Sequence, residues 1–297
     1  MTVLIEVLIC TFRRPHLAQT LASLAAQSLP PDLGIAVIVA DNDDRPSAQG
    51  LVAGLAPGLP YPITYLHAPA RNISLARNAC LDHATAPWVA FVDDDETADP
   101  GWIAGLWQAA QDSGADAVFG PAHAVYPPGT PDWIVARDYH SNLPERRGGQ
   151  VMTGHTCNAL LRWQGARWQT LRFDLARGTA GGEDTAFFFA ARRSGARLAA
   201  TTLARVSEPV APARLRFGWL VRRKFRMGQS YAASEPDRLG QLRLAVTALG
   251  KAAICAAAAI AMLPVTERRN FWALRGILHV GVIAGCLALP QPQSYGR

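Results

Sequence analysis

The chain has 297 residues, 49% of them hydrophobic and 18% charged, so it can bury a sizeable core and is not a disordered polar tract. Its five cysteines are odd in number and widely spaced, which excludes a disulfide framework or a zinc cluster and fits a reducing compartment. The net charge of +6 is uneven: residues 205–297 hold 14 Lys and Arg against 4 Asp and Glu, whereas residues 1–204 hold 15 against 19.

The opening MTVLIEVLICTFRRP carries Glu6 inside its apolar run, with no basic segment before it and no small-residue cleavage site after it, so a signal peptide is not expected. The runs VLIEVLI (3–9), IAVIVA (35–40), ITYL (63–66), WVAFV (88–92) and DAVF (116–119) read as strands buried on both faces. Helix patterns separate them. PHLAQTLASLAAQS places Pro15 in a first turn, SLARNACLDHA opens on Ser74 as its cap, and PGWIAGLWQAAQDS opens on Pro100. Alternation at this spacing predicts an α/β fold, a mostly parallel Rossmann-like sheet with helices on both faces.

Residues 120–182 are richer in Pro and Gly and predict loops with a few strands, VMTGHTCNALLRW among them, able to carry acceptor contacts. EDTAFFFAARRSG then reads as a helix with its Phe run in the core, and RLAATTL (197–203) as a closing strand. Trp102 and Trp107 are core residues on the same reading.

In an open α/β sheet, ligands collect outside the carboxyl ends of the strands. Thr11 and Arg13 follow the first strand, Asp41 and Asp43 the second, and Asp93, Asp94, Asp95 and Glu96 the fourth. Four adjacent acids raise one another's pKa and resist burial unless a cation compensates. Such carboxylates suit a hard divalent cation, Mg²⁺ or Mn²⁺, which takes further ligands from phosphate. Asp184 starts a helix pattern, where backbone donors and the dipole favour its ionised form; a simple helix cap is the plain alternative. Arg71 and Arg77 read either as surface charges or as phosphate contacts, and His155 as a structural histidine.

Four motifs in this order and spacing, LICTFRRPHLAQTLASLAAQS, VIVADND, ARNISLARNACLDHATAPWVAFVDDDE and TAGGEDTAFFFAARRSG, resemble glycosyltransferase family 2, in particular its bacterial exopolysaccharide members of the succinoglycan-synthesis type. The resemblance covers residues 1 to about 230. It implies a GT-A fold and inverting transfer of a sugar from a nucleoside diphosphate donor, a UDP-sugar foremost. It implies that Thr11 and Asp41 contact the base, with Asp43 an open alternative because the second motif reads ADNDD, and that Arg71 or Arg77 lies near the base and diphosphate. Arg13 joins this donor-binding set. Asp93 to Asp95 match the family's Asp-x-Asp motif, with Asp95 and Asp93 as metal ligands and Asp93 or Asp94 nearer the ribose. Asp184 matches the catalytic base, with Glu183 as its substitute. The Gln-x-x-Arg-Trp motif of processive members does not occur after GGED, so addition of a single sugar is expected.

Toward the C-terminus, RLRFGWLVRRKFRMGQS (214–230) interleaves Arg222, Arg223, Lys224 and Arg226 with aromatic and apolar residues, as a membrane-surface helix does; a family analogue of it closes over the donor. Residues 244–263 reach the roughly 20 apolar residues of a spanning helix only by including Lys251, and residues 271–289 only with Arg275 and His279. Two spans would also leave Arg268 and Arg269 outside, against the positive-inside tendency. The expectation is a catalytic domain over 1–230 and a membrane-associated helical hairpin over 231–297, shallow or packed on the domain. It would sit on the anionic inner membrane surface, at the cytoplasmic face, and use a lipid-linked saccharide acceptor.

Two rivals stand beside this reading. A sugar nucleotidyltransferase wants a Gly-rich phosphate loop after the first strand, and CTFRRPH has no glycine. A non-catalytic membrane or nucleic-acid adaptor rests on the basic tail alone, and the acidic N-terminal part argues against nucleic acid.

Overall fold

The structure is a computed structural model that describes residues 2–144, 146–233, 235 and 237–290. β1 (Val3–Thr11), β2 (Leu33–Asp41), β3 (Ile63–His67) and β4 (Trp88–Val92) run parallel, joined by α1 (Leu17–Ala25), α2 (Gln49–Leu55) and α3 (Ile73–His83). The chain leaves the sheet through β5 (Thr97–Ala98) and α4 (Trp102–Ser113), then returns as β6 (Ala117–Phe119) and β7 (Ala122–Val125). α5 (Asp132–Val135), a small hairpin of β8 (Arg146–Arg147) and β9 (Gln150–Val151), and β10 (Asn158–Arg162) follow. α6 (Glu183–Arg193), β11 (Leu198–Ala200) and β12 (Val206–Pro209) lead to three long helices, α7 (Phe217–Ala232), α8 (Arg238–Ala261) and α9 (Thr266–Cys286).

The main sheet has the order β11-β6-β10-β4-β1-β2-β3, and β10 runs antiparallel to both its neighbours. The expected mostly parallel sheet is therefore present. A second sheet, β5-β12-β7, packs beside it. Successive residues of β1 enter opposite cores, Val7 and Ile9 with Trp102 and Leu106 on one face, and Leu8 with Phe91, Phe119, Phe187 and Phe188 on the other. That two-sided cover is why β1, β2 and β4 are largely continuous apolar runs; β3, expected to be buried on both faces as well, is the edge strand and only half-buried. Glu6 is the buried exception, and it is satisfied: its Oε2 accepts the Thr85 and Ala86 N–H groups at 2.7 and 2.8 Å.

α1 and α4 each begin two residues after their prolines, Pro15 and Pro100. The cap of α3 is a correction. Asn72, not Ser74, holds that position; its Oδ1 accepts the N–H groups of Ser74 and Leu75 at 3.1 and 3.3 Å, while the Ser74 hydroxyl donates to the Asp174 carbonyl at 2.8 Å. An amide side chain with extended backbone one residue before the helix takes both free donors, which leaves the serine for a long-range bond.

Candidate active site

Parallel register sets Thr11 of β1 level with Asp41 of β2, and Asp41 level with His67 of β3. β4 ends one residue before Asp93, so the acidic run leaves the sheet at the same edge. The Thr11 hydroxyl donates to Asp94 Oδ2 at 2.7 Å. Burial pushes Asp94 up to about 7, with the neighbouring Asp95 adding to it and the Thr11 bond opposing. Asp93 is more open, with its side chain 45% exposed, and faces Arg77 at 3.8 Å. Loss of water contacts, then the charges of Asp95 and Asp94, push it up to about 7 against the pull of Arg77. Glu96 is buried; its Oε2 accepts the Asp93 N–H at 2.9 Å, and its Oε1 has no hydrogen-bond partner among the described residues. Asp95 pairs with Arg14 at 3.0 Å.

Arg77 of α3 forms the opposite wall. Its buried guanidinium lies over the Phe173 ring at 5.5 Å and pairs with Glu183 of α6 as well as Asp93, so one cation joins the acidic turn to the GGED segment. Gly181 and Gly182 have φ of +100° and +84°, and a Cβ on Gly182 would lie 2.5 Å from the Ser230 hydroxyl of α7. That left-handed pair turns the chain tightly into α6.

Asp184 follows in the first turn of α6. Its Oδ1 accepts the Thr185 N–H at 2.6 Å, and its Oδ2 accepts from His155 Nδ1 at 2.8 Å. Burial works against ionisation, but the charge and hydrogen bond of His155 and the charge of Arg77 outweigh it and hold this carboxyl below the ordinary range. The loop carrying His155 is pinned to the same turn, because the Thr153 hydroxyl donates to the Thr185 carbonyl at 3.0 Å.

On the other flank Asp41 is fully buried, accepting from the Ala48 N–H at 2.7 Å, the Tyr65 hydroxyl at 2.9 Å and the Asp43 N–H at 3.1 Å. It organises the loop at 42–48. Asp43 takes two bonds from Arg13 at 2.8 Å, which hold it down at about 2. Arg71 pairs with Asp44 at 2.5 Å, both half exposed, and its N–H donates to the Asn42 carbonyl.

The structure thus joins Thr11, Asp93, Asp94, Asp95, Arg77, Glu183 and Asp184 around one strand-end crevice, with Arg13, Asp41, Asp43 and Arg71 beside it. The two halves of the set differ: Asp41 is committed internally, whereas Asp93 is open. His155, read from the sequence as structural, is hydrogen-bonded to Asp184 and so lies beside the candidate site. No spacing in the sequence links it to Asp184; the antiparallel placement of β10 between β4 and β6 carries it there.

Among the described residues, no three His, Cys, Asp or Glu side chains converge as a ready-made metal cage. The donor set fits a hard cation nonetheless. It offers adjacent carboxylates, two of them pushed up to about 7 by burial with their neighbours' charges adding to it, and a buried oxygen on Glu96 with no hydrogen-bond partner among the described residues.

Residues 6–166 match the family model described as Glycosyl transferase family 2. The succinoglycan biosynthesis protein ExoM of Rhizobium meliloti (strain 1021) is 45% identical over 298 residues, covering 99% of this chain and 96% of that protein. The mannosyltransferase PcManGT from Pyrobaculum calidifontis, solved with GDP-Man and Mn2+, superposes with a TM-score of 0.64 at 19% identity over 95% of this chain and 86% of that one. S. aureus TarS 1–349 in complex with UDP-GlcNAc gives 0.54 at 13% identity over 97% and 93%; against the longer TarS chain this protein spans 52% of its length.

Proposed function

The chain belongs to glycosyltransferase family 2 and has the GT-A fold, and from that premise we propose that it transfers one sugar, with inversion, from a nucleoside diphosphate sugar to a saccharide acceptor in exopolysaccharide assembly. The observation that carries this reading is Asp184. A carboxylate held ionised by His155 and Arg77 stands across the Arg77–Glu183 pair from the acidic turn.

Asp184 takes the proton of the acceptor hydroxyl as that oxygen bonds to the anomeric carbon. The bond from that carbon to the diphosphate oxygen breaks on the opposite face, and its electron pair leaves with the nucleoside diphosphate. Glu183 does not take the proton; it holds Arg77, whose charge faces both the leaving phosphates and Asp93. His155 orients Asp184. Asp95 and Asp93 would hold Mn²⁺ or Mg²⁺, which supplies Lewis-acid stabilisation of the departing diphosphate. Asp94, bound to Thr11, stays nearer the ribose. Asp41 shapes the 42–48 loop so that Asp43 and Arg13 meet the base, with Arg71 at its rim; Thr11, buried as Asp41 is, serves by holding Asp94.

The family resemblance and the UDP-GlcNAc complex of TarS support a UDP-sugar donor, and the name of ExoM supports exopolysaccharide as the product. A lipid-linked acceptor and a place at the cytoplasmic face of the inner membrane are supported by the basic C-terminal third and by α8, the one helix among those described long and apolar enough to cross a membrane. On this reading residues 1–230 are the catalytic unit and the rest its membrane contact.

The test is hydrolysis of a panel of nucleotide sugars by purified protein, with Mn²⁺ or Mg²⁺ and with chelator, beside Asp95→Ala and Asp184→Asn. One donor should release nucleoside diphosphate in a metal-dependent way, and Asp95→Ala should abolish it. In full transfer assays, Asp184→Asn should lose roughly 10²–10⁴-fold in rate. Wild-type turnover by Asp95→Ala would refute the metal role, and wild-type transfer by Asp184→Asn would refute the base.

A further inference from the structure

α8 has the length and composition to cross a bilayer. We infer that it does not: the α8–α9 hairpin lies flat on the cytoplasmic leaflet, α8 in the lipid interface and α9 between it and the catalytic region. The inference rests on the proposed membrane association and adds its geometry.

The first ground is that α9 is tied down at both ends. In its first turn Glu267 pairs with Arg137, just beyond α5, at 2.8 Å, and the Arg137 guanidinium covers the Phe271 ring at 4.7 Å. Leu274 shares a buried cluster with Ile134, Tyr139 and Leu220. Past the other end of α9, the Leu289 carbonyl accepts from the Gln229 amide of α7 at 3.2 Å. Between these points Gly281 abuts the Phe225 backbone and Gly285 the Gln229 backbone so closely that a Cβ on either would collide. α7 and α9 therefore run parallel, side by side. α7 is itself held to the sheet region, by Leu220 in that cluster and by Ser230 against the Gly181–Gly182 turn.

A helix of 21 residues is about 32 Å long, close to the roughly 30 Å hydrocarbon thickness of a bilayer. If the hairpin spanned, one end of α9 would lie beyond the membrane, and it would drag either Arg137 and α5 or the end of α7 with it. Both are packed against the sheet-bearing region, on one side of the bilayer.

The second ground is charge. Lys251 stands midway along α8, and Arg275 and His279 lie within α9. A span would put these residues near the bilayer centre, where they cost most. Lying flat puts the exposed Arg243 and Lys251 at headgroup level instead.

The third is the free face. Leu242, Val246 and Leu249 recur at four- and three-residue steps, Ile260 follows eleven residues or about three turns later and Leu263 three after that, and each is more than half exposed. Leu244, Ala248 and Cys255 turn the other way, toward α9. An apolar stripe of this length suits the lipid interface, and Arg243 at its flank with Lys251 on the side toward α9 suits the anionic headgroups above it. Because Ser230 of α7 backs the turn that presents Asp184, docking of α8 also fixes the height of the crevice above an acceptor anchored in the same leaflet.

The test uses the full chain. Thr266→Cys, at the start of α9 beside the α8–α9 turn, is probed with a membrane-impermeant maleimide in inside-out and right-side-out vesicles, against the wild-type background. Labelling only from the cytoplasmic face is expected; labelling only from the far face would overturn the flat geometry and leave membrane association standing. In parallel, wild type should float with phosphatidylglycerol vesicles and much less with phosphatidylcholine. Leu249→Asp with Ile260→Asp should lose flotation while keeping thermal unfolding and donor hydrolysis. Wild type that fails to float, or that pairs with a second copy through α8 in place of vesicles, would sink both the geometry and the membrane reading.

Discussion

β4 and the second half of α8 are made of the same kind of residue and end in opposite surroundings. All five residues of WVAFV are buried, whereas in AAICAAAAIAML (252–263) only Cys255 is. β4 has a paired strand on each edge and a core on each face; α8 has protein on one side. Apolarity in a sequence states that a segment needs an apolar neighbour, and only the fold says whether the protein supplies it.

That contrast can be broken by mutation. Phe91→Ala, deep in β4 against Phe173, should cost about 3–5 kcal/mol in chemical denaturation. Gly281→Leu wedges α9 off α7 and should cost about 1–3 kcal/mol, with a rise in exposed apolar surface read by dye binding. Ile260→Ala should shift unfolding in solution by less than about 0.5 kcal/mol, because that side chain touches little protein, and show its effect only in vesicle binding. A large loss for Ile260→Ala would mean that the outer face of α8 packs against protein.

The crevice offers a finer probe. The Asp184 pKa is depressed in the folded state, so its contribution to stability is present above the unfolded value and is lost as pH falls through the folded one. The acid limb of activity should accordingly lie low. In His155→Gln the charge that offsets burial is gone, the carboxyl pKa rises, and the limb moves upward. Each unit of rise costs about tenfold in ionised base at pH below it. An unmoved limb with an unchanged rate would show that His155 only packs.

The sequence exposes some of this and hides the rest for physical reasons. β1, β2, β4 and β6 are legible because strands buried on both faces are nearly unbroken apolar runs, while ITYL is legible as a strand but not as the half-buried sheet edge that β3 is. β5, β7 and β12 are two to four residues long, too short to show a period, so the second sheet is invisible until it pairs. VMTGHTCNALLRW is legible as strand-bearing but not as the antiparallel insertion that β10 makes. The acids at strand ends are legible because register gathers such ends. Their partners are not: Arg14 for Asp95 and His155 for Asp184 join segments far apart in the chain, and the competition between Asn72 and Ser74 for one cap turns on backbone angles.

Arg77 and Glu183 carry a consequence for variation. Each is nearly buried and each is the other's counter-charge. Removing Glu183 leaves the buried guanidinium only its longer contact with Asp93, and removing Arg77 leaves the buried Glu183 without its counter-charge; losing one partner of a buried pair typically costs about 3–5 kcal/mol. A library that alters one position at a time will score both as immutable, although a matched pair of neutral side chains could keep the fold. Tolerance at these two sites is a property of the couple, visible only to libraries that change both at once.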